Sequence, residues 1–336
     1  PVVNTAFTDR LTGVELLRDD ELFNAALVSF GSFGIIHGVL LEGQPIALLE
    51  EHRRMGVELN DRTRDLLNTG DWERFPDLVP APRNAAGATP FHFEVGFNPH
   101  QLAENDADKG LFLKVMYRIP YREDYPRIPK DPTFEYGDNT FEVLQRALDI
   151  LGPRGEHLIP GIVNVLYPLA YKAAEVRTGT MSEHFNSTRV RGRAASLAIG
   201  IPAADTARTM ELVLALNRER PFAGVTALRY VKGSPATLAF TRFPLTCVLE
   251  MDGVDSTGTN TFYRALVQRM DASGRPFTMH WGKVNHMLNE ALVHRMFGVD
   301  AVDRWCRART TLLDAEAREV FTNGFLEQCG LHRART

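Results

Sequence analysis

Residues 90–99 read PFHFEVGFNP, and residues 110–120 read GLFLKVMYRIP. In both segments apolar side chains recur at every second position, and polar side chains such as His92, Glu94 and Lys114 fall between them. Successive side chains of a strand point to opposite faces, so this period of two predicts half-buried antiparallel strands. The predicted apolar face contains Phe91, Phe93, Val95 and Phe97 from the first segment and Leu111, Leu113, Val115, Tyr117 and Ile119 from the second.

Further strands and helices are predicted on both sides of these two segments. The strands are predicted at residues 35–41, 45–55, 189–201 (one or two strands), 224–232, 236–243 and 246–251. The helices are predicted at residues 20–29, 61–68 (capped by Asn60), 139–151, 159–176, 203–218, 258–271, 285–295, 299–309 and 315–328. This order is typical of an α+β protein with a large antiparallel sheet covered by helices.

The composition is that of an ordinary globular protein. The chain has 336 residues, of which 44% are hydrophobic and 24% charged, and this balance excludes disorder, collagen and a disulfide scaffold. At roughly 150 residues per domain, the length predicts two domains or one large domain. Lys and Arg number 38 against 42 Asp and Glu, so no basic excess favours a nucleic-acid partner.

No membrane span is predicted. The most apolar stretch, residues 159–174, is interrupted by polar residues and a proline, and it is too short to cross about 30 Å of hydrocarbon. The three cysteines (Cys247, Cys306 and Cys329) cannot all pair within one chain and form no CxxC motif. They favour a reduced compartment, and we therefore expect a cytoplasmic location.

The first candidate for chemistry is residues 31–36, GSFGII. Glycines lack Cβ, so the backbone N–H groups of such a turn can approach a phosphate or the edge of a ring closely. Alternatively, the segment is only a tight turn between a helix and a strand.

The second candidate is residues 278–283, TMHWGK. His280 and Lys283 are three residues apart, so both could face one ligand and stabilise negative charge that develops on it. In the alternative interpretation Trp281 is buried in the core, His280 satisfies a backbone group and Lys283 is solvated.

The third candidate is Arg229, which shares one strand face with Ala227 and Val231. If that face lines a cavity, the guanidinium needs an anionic or strongly polar partner there. Otherwise Arg229 is an exposed strand residue.

The fourth candidate is a triplet, His286, Glu290 and His294, whose intervals of four place it on one stripe of a predicted helix. Such side chains bind zinc or iron. Metal sites seldom draw every ligand from one helix, and HExxH is absent, so a polar helix face is favoured and no metal site is expected. The chain also lacks GxSxG, Walker, GxGxxG and paired CxxC motifs.

Three segments together carry a family resemblance. ELFNAALVSFGSFGIIHGVLLE (residues 21–42) resembles the closing segment of the PCMH-type FAD domain of vanillyl-alcohol-oxidase-type flavoproteins. HWGK (280–283) is similar to the C-terminal motif of their aldonolactone, alditol and type II cholesterol oxidase branches. LDAEAREVFTNGFLEQCGL (313–331) resembles the family's closing "Asp … Phe-x-Asn" segment through Asp314, Phe321 and Asn323. The order and separation of the segments agree as well.

The resemblance implies a domain plan and a set of FAD contacts. Residues 1–43 would be the end of the FAD-binding domain, residues 44–284 a cap domain that binds substrate, and residues 285–336 helices that return to the FAD domain. The implied cofactor contacts are Gly31, Ser32, Phe33, Gly34, Ile35, Ile36, His280, Lys283 and Asn323.

The resemblance also implies catalytic roles for Lys283, Arg229 and His280. Lys283 and His280 would lie near flavin and substrate, and Arg229 matches the Arg of a Glu-x-Arg strand motif that binds or polarises the substrate oxygen. Ala227 stands where that motif has Glu, which puts its acid–base chemistry in doubt.

The implied activity is FAD-dependent oxidation of a CH–OH group in a small alcohol, a sugar-type molecule or a sterol, with O₂ or another acceptor. The family's phosphate-binding loops come before the position that matches Pro1. The expected partners are therefore the alcohol substrate and an N-terminal FAD-binding half, in the same gene product or a separate chain; a homo-oligomer is left open. The alternative is a non-catalytic cap-fold module that serves binding or assembly.

Overall fold

The computed structural model describes residues 13–128, 145–146, 152–171, 173, 175–185 and 193–335. The chain divides into two compact units. The first unit comprises the described residues of Pro1–Val39, Pro235–Ala239 and Leu288–Thr336, and the second those of Leu40–Ser234 and Phe240–Met287.

An eight-stranded sheet forms the centre of the second unit, and each of its strand pairings is antiparallel. The strands are β1 (Ala47–Val57), β2 (Thr89–Phe97), β3 (Leu111–Pro120), β4 (Arg177–Gly179), β5 (Ala194–Pro202), β6 (Gly224–Lys232), β7 (Leu245–Val254) and β8 (Thr278–Met279). Their order across the sheet is β4-β1-β3-β2-β6-β7-β5-β8. The predicted α+β class with a large antiparallel sheet is confirmed.

The helices follow the chain order around these strands. The α-helices are α1 (Asp20–Ala26), α2 (Asp61–Thr69), α3 (Ile159–Ala170), α4 (Met181–His184), α5 (Thr206–Glu219), α6 (Thr257–Ala272), α7 (Glu290–Phe297), α8 (Val299–Leu312), α9 (Ala315–Val320) and α10 (Gly324–Gln328). Short 3-10 helices occur at Trp72–Arg74, Ala107–Lys109, Gly152–Leu158 and Ala203–Asp205. The helix predicted at 139–151 lies outside the described residues, apart from residues 145 and 146.

The two faces of the sheet differ in chemistry. Residues that lie directly opposite each other in an antiparallel pair share a face. Across β2 and β6 one face is apolar and buried; it includes Phe93 and Val95 of β2 and Leu228 of β6. On the same face the hydroxyl oxygen of Tyr263, on α6, lies 2.8 Å from the carbonyl oxygens of Ala195 and Met251. This face forms part of the core of the second unit; the opposite face carries charged side chains and, beside them, a cluster of Phe112, Tyr167 and Tyr171.

The start of α2 shows how local sequence sets an element boundary. The Asn60 side chain accepts a hydrogen bond from the Thr63 N–H at 3.1 Å, and the Thr63 hydroxyl oxygen accepts one from the Asn60 N–H at 2.7 Å. This reciprocal capping box satisfies amides that lack an intrahelical partner. The predicted Asn60 cap is confirmed.

The buried strand predicted at residues 35–41 is wrong. No strand is assigned there, and Ile35 and Leu41 are 88% and 81% exposed. An apolar run becomes a buried strand only where a neighbouring backbone can take its N–H and C=O groups. Among the described residues no strand pairs with this segment.

The strand predicted at residues 236–243 is also wrong. This segment lies between Pro235 and Pro244, which cannot donate backbone hydrogen bonds to a ladder. The chain turns instead, and the Ala239 N–H donates to the Ala236 carbonyl at 3.0 Å. The alternating apolar residues here serve a loop rather than a sheet.

Two C-terminal helices differ from their predicted bounds. Asn289 caps α7, so this helix begins at Glu290 and His286 precedes it. The predicted stripe of His286, Glu290 and His294 on one helix is therefore wrong, and the described residues contain no group of three His, Cys, Asp or Glu side chains that could hold a metal ion. The helix predicted at 315–328 is broken into α9 and α10 because Asn323 caps the second.

In the described part of the chain, helices fall short of the length and apolar character needed to cross a membrane.

Candidate functional site

A row of charged side chains crosses the polar face of the sheet. In the ladder, Glu94 of β2 lies opposite Lys114 of β3 on one side and opposite Arg229 of β6 on the other. All three side chains therefore point to the same face. The row brings together residues that are up to 135 positions apart in the sequence.

Glu94 is the buried anion of this row, with only 3% of its side chain exposed. Its Oε2 accepts from Arg229 Nε at 3.1 Å and from Lys114 Nζ at 3.3 Å, and His92 Nε2 lies 3.3 Å away. Burial alone would raise the pKa of Glu94, but Lys114, His92 and Arg229 hold that pKa well below its usual value. Glu94 therefore stays ionised and binds Arg229 on the buried side of the guanidinium.

Glu250 of β7 joins two cations on the same face. Its Oε2 accepts from Nη1 of Arg229, and its Oε1 accepts from Nζ of Lys283 at 3.0 Å. The Arg229 side chain is 40% exposed and that of Lys283 is 24% exposed, so both cations reach the surface of the face. Burial alone would lower the pKa of Arg229, but Glu94 and Glu250 raise it. Arg229 and Lys283 thus converge on one carboxylate.

A turn after β8 brings Lys283 to this point. The His280 N–H donates to the Ala198 carbonyl of β5 at 2.9 Å, and the Lys283 N–H donates to the His280 carbonyl at 3.4 Å. Lys283 Nζ also lies 3.9 Å from Oδ1 of Asp252, which accepts from the Ser196 hydroxyl. The HWGK segment is therefore folded back over the sheet edge toward β7.

His280 has a defined tautomer. The Gly282 N–H donates to its Nδ1 at 3.0 Å, so Nδ1 carries no proton and the proton of the neutral ring resides on Nε2. Burial and the nearby charge of Lys283 lower the pKa of His280. The imidazole is therefore a neutral hydrogen-bond donor through Nε2. Its ring meets Phe240 edge-on, with centroids 4.7 Å apart.

Aromatic side chains from α3 and the residue that follows it cover the neighbouring part of the polar face. A Cβ at Gly96 would lie 2.8 Å from Cε1 of Tyr171, so only glycine leaves room for that ring against β2. Tyr167 and Tyr171 lie with ring centroids 4.8 Å apart. The Tyr167 hydroxyl is buried and has no hydrogen-bond partner among the described residues. These rings close one side of the charged row.

The glycine turn of the first unit is tight, and the Ser32 N–H donates to the Ser29 carbonyl at 2.8 Å. Phe30, Gly31 and Gly34 have φ angles of 52°, 69° and 101°, in the region that favours glycine. The Arg309 side chain holds the turn by donating from Nε to the Ser32 carbonyl at 3.0 Å, and the Trp305 indole donates to the Val28 carbonyl at 2.8 Å. The predicted turn is present.

Within this turn the backbone at the two glycines is accessible, whereas the Ser32 side chain is buried. Apart from the adjacent residues, the described part of the chain places no atom within 4 Å of where a side chain would begin at Gly31 or Gly34. The Ser32 hydroxyl is buried and donates to the Ser29 carbonyl at 2.7 Å. The ring of Phe33 contacts Trp305, whereas Ile35 and Ile36 are exposed. The cofactor contacts of residues 31–36 stay a prediction. Because the backbone at the two glycines is open while the Ser32 and Phe33 side chains already have partners, such contacts would be made by main-chain atoms.

Asn323 also lies in the first unit. Its Oδ1 accepts from the Leu326 N–H at 3.0 Å, so the side chain caps α10. Capping the helix is by itself a sufficient reason for an Asn at this position. The cofactor contact of Asn323 stays a prediction.

The structure thus brings Arg229, Lys283 and His280 to one face of the second unit, and it adds carboxylates that the sequence interpretation missed. These are Glu94, Glu250 and Asp252. The sequence pattern that could have identified them is the presence of charged residues at every second position of several strands, because such residues share a face once the strands pair. Glu250 and Asp252 are such an alternating pair within β7.

The chain matches no protein-family description and no curated protein. It is similar in structure to FgChi7B, with 14% identity and a TM-score of 0.41, over 87% of this chain and 56% of the other. It is also similar to the VAO-type flavoprotein MtVAO615 from Myceliophthora thermophila C1, with 13% identity and a TM-score of 0.38, over 81% of this chain and 45% of the other.

A third similar structure is that of Phl p 4, a grass pollen allergen with glucose dehydrogenase activity, with 9% identity and a TM-score of 0.40, over 83% of this chain and 55% of the other. The chain spans about half the length of these solved structures.

Proposed function

We propose that the chain is the substrate-binding part of a FAD-dependent oxidoreductase that oxidises a CH–OH group. The observation that carries this proposal is the convergence of Arg229 and Lys283 on Glu250, at a partly exposed point of an otherwise buried charged face. Two cations that are fixed beside one surface point are suited to stabilise negative charge that develops there. The family resemblance of residues 21–42, 280–283 and 313–331 supports FAD as the cofactor.

The residues of the charged face fit a reduced flavin ring. Lys283 supplies a positive charge and His280 a neutral Nε2–H donor, and both groups suit an electron-rich ring. When bound, FAD would accept the hydride that the alcohol carbon loses, and O₂ or another acceptor would take the electrons onward. We propose Lys283 and His280 as the flavin contacts of this unit.

Arg229 would orient the hydroxyl oxygen of the substrate. Glu94 and Glu250 hold its guanidinium from two sides, so its remaining N–H groups have a fixed direction. A hydrogen bond from this guanidinium would stabilise the oxygen as its proton leaves. Because the side chain is 40% exposed, water can take that proton.

The proposed partner of the chain is an N-terminal FAD-binding half. Residues 35–46 support this proposal, since Ile35, Leu41 and Ile46 are largely exposed. Exposed apolar residues in series are costly in water and are typical of a surface that a partner covers. In this interpretation the charged face acts on flavin only in the complete protein.

Absorption spectroscopy of the chain, purified with the residues that precede it in its gene product or with its separate FAD-binding chain, tests the proposal. A bound yellow chromophore that bleaches when an alcohol substrate is added is the expected result. A protein that stays colourless with FAD present would refute the oxidoreductase and favour the non-catalytic binding module.

A further inference from the structure

Glu250 lies on β7 beside the guanidinium of Arg229, which belongs to the neighbouring strand β6. In the ladder it lies directly opposite Ala227, and both point to the polar face. Ala227 is two residues before Arg229 on β6, so its short side chain leaves the space beside the guanidinium without a carboxylate from the same strand. Glu250 fills that space from β7 and binds Nη1 of Arg229.

Glu250 also separates two like charges. Arg229 binds its Oε2 and Lys283 binds its Oε1, so the carboxylate lies between the two cations. Without it, Arg229 would keep Glu94 as a partner at 3.1 Å, whereas Lys283 would keep, among the described residues, only the ion pair with Asp252 at 3.9 Å. Repulsion from Arg229 and the loss of its closest hydrogen bond would then let the flexible Lys283 side chain move into solvent.

We infer that Glu250 is the positioning residue of the charged face, which supplies across the β6–β7 pair the carboxylate that Ala227 lacks and sets Lys283 and Arg229 at one point. This inference rests on the proposed function for its consequence in catalysis, but not for its geometry. Side chains that lie directly opposite in an antiparallel pair have Cβ atoms about 4.5–5.5 Å apart. We therefore expect a Glu side chain at position 227 to pair with Arg229 and, because the Lys283 side chain is flexible, to regain an ion pair with Lys283 as well.

Reaction of Lys283 with an amine-selective acetylating reagent measures this positioning without flavin. The acetylation rate is followed by mass spectrometry of the full chain after digestion, relative to the exposed Lys232. Glu250→Ala is expected to raise the rate at Lys283 several-fold. The double variant Ala227→Glu/Glu250→Ala is expected to lower it again. Glu219→Ala, which breaks the exposed Glu219–Arg269 pair on helices α5 and α6, is the matched control and should leave it unchanged.

Flavin reduction is the second readout, in the complete protein at saturating substrate. Misplacement of a positioned group by about 1 Å costs about 10²-fold in rate, and we expect Glu250→Ala to lose that much and the double variant to regain most of it. An unchanged Lys283 acetylation rate in Glu250→Ala would overturn the inference. So would an equal acetylation rate in the single and double variants.

The two readouts distinguish failure of the proposed function from failure of the positioning role of Glu250. If the protein binds no flavin but Lys283 acetylation follows the order given, the positioning role stands and the oxidoreductase is refuted. If Glu250→Ala does not fold by circular dichroism, Glu250→Gln replaces it, since it keeps the volume and removes the charge. A raised Lys283 rate in Glu250→Gln supports the inference, and an unchanged rate overturns it.

Discussion

Glu94 keeps its negative charge in a buried position because three cationic or polarisable side chains surround its carboxylate. Lys114, Arg229 and His92 each lie within 3.3 Å of Oε2. Transferring a lone carboxylate from water into the protein would be costly, so such a group persists only with well-placed partners. At this residue, the same contacts that allow burial also orient Arg229.

Removing the Glu94 charge should destabilise the second unit. In Glu94→Gln the ammonium of Lys114, only 6% exposed, loses the charge of a carboxylate 3.3 Å away. Breaking a buried ion pair from one side costs about 3–5 kcal/mol. Urea unfolding followed by circular dichroism measures the loss, with Glu123→Gln in an exposed loop as the control. A loss equal to that of the control would contradict the ion-pair account.

Lys283→Met should slow flavin reduction in the complete protein. Methionine keeps much of the length of the side chain but removes the positive charge beside Glu250. If that charge stabilises the reduced ring, the rate at saturating substrate should fall by about 10²-fold, as for other lost electrostatic groups. Stopped-flow absorbance measures the rate, and an unchanged rate would remove Lys283 from the mechanism.

His100 should make the stability of the second unit dependent on pH. Its Nε2 donates to the Phe222 carbonyl at 2.8 Å and its Nδ1 faces the Asn217 amide at 3.1 Å, so the folded ring is neutral. Burial lowers the pKa of His100 below its ordinary 6.5. The unfolded chain therefore binds more protons below pH 6.5, and stability falls as the pH decreases through that range.

Urea unfolding at pH 7.5 and pH 5.5 checks this expectation, with His100→Gln as the comparison. The variant should be less stable at pH 7.5 but should lose less of its stability on acidification than the native chain. An identical pH dependence in the two proteins would show that His100 is not the responsible group.

Helices and strands owe their ends to short-range chemistry. The capping box at Asn60 starts α2, and Gly70, with φ of 61°, ends it in the left-handed region. The edge strands of the sheet are short, with three residues in β4 and two in β8. Short edges expose few unpaired backbone groups, which limits pairing with other chains. The two ends of α2 can be read within a few residues of sequence, whereas the sequence analysis predicted neither β4 nor β8.

Asn60→Ala should weaken α2 by about 1 kcal/mol, the usual cost of losing an N-cap side chain. Asn60→Asp keeps an acceptor oxygen for the Thr63 N–H and should stay close to the native stability. Thermal unfolding of the two variants measures the difference. Equal losses in both would show that the cap contributes nothing at this end.

At the scale of the whole molecule, the position of a strand in the sheet decides its environment. β2, β6 and β7 lie in the interior of the order, with a paired strand on each side, whereas β4 and β8 lie at the edges. The charged row and Glu250 are located on interior strands. A site on interior strands has a more rigid scaffold than one on the edges.

Amide hydrogen exchange should therefore be slowest in β2, β6 and β7 and faster in β4 and β8. Interior amides are released only by large openings of the sheet, while edge strands can detach locally. Exchange resolved on short peptides by mass spectrometry measures this order in the full chain. Exchange in β8 as slow as that in β6 would contradict it.

The sequence by itself determined the type of most elements and the two faces of the central strands. Alternation in residues 90–99 and 110–120 predicted β2 and β3 and placed Glu94 and Lys114 away from the apolar face, because side-chain direction along a strand has a period of two. The Asn60 cap was predictable for a different local reason: its partner Thr63 lies only three residues away.

Only the tertiary structure decided which strands became neighbours. Glu94 and Arg229 are 135 residues apart, and Ala227 lies opposite Glu250 because β6 pairs with β7. Alternation predicts which face of a sheet a side chain takes, but not which strand lies beside it. An apolar run such as residues 35–41 likewise does not indicate whether a partner strand exists. The charged face is a property of strand order, and strand order depends on contacts that no local segment contains.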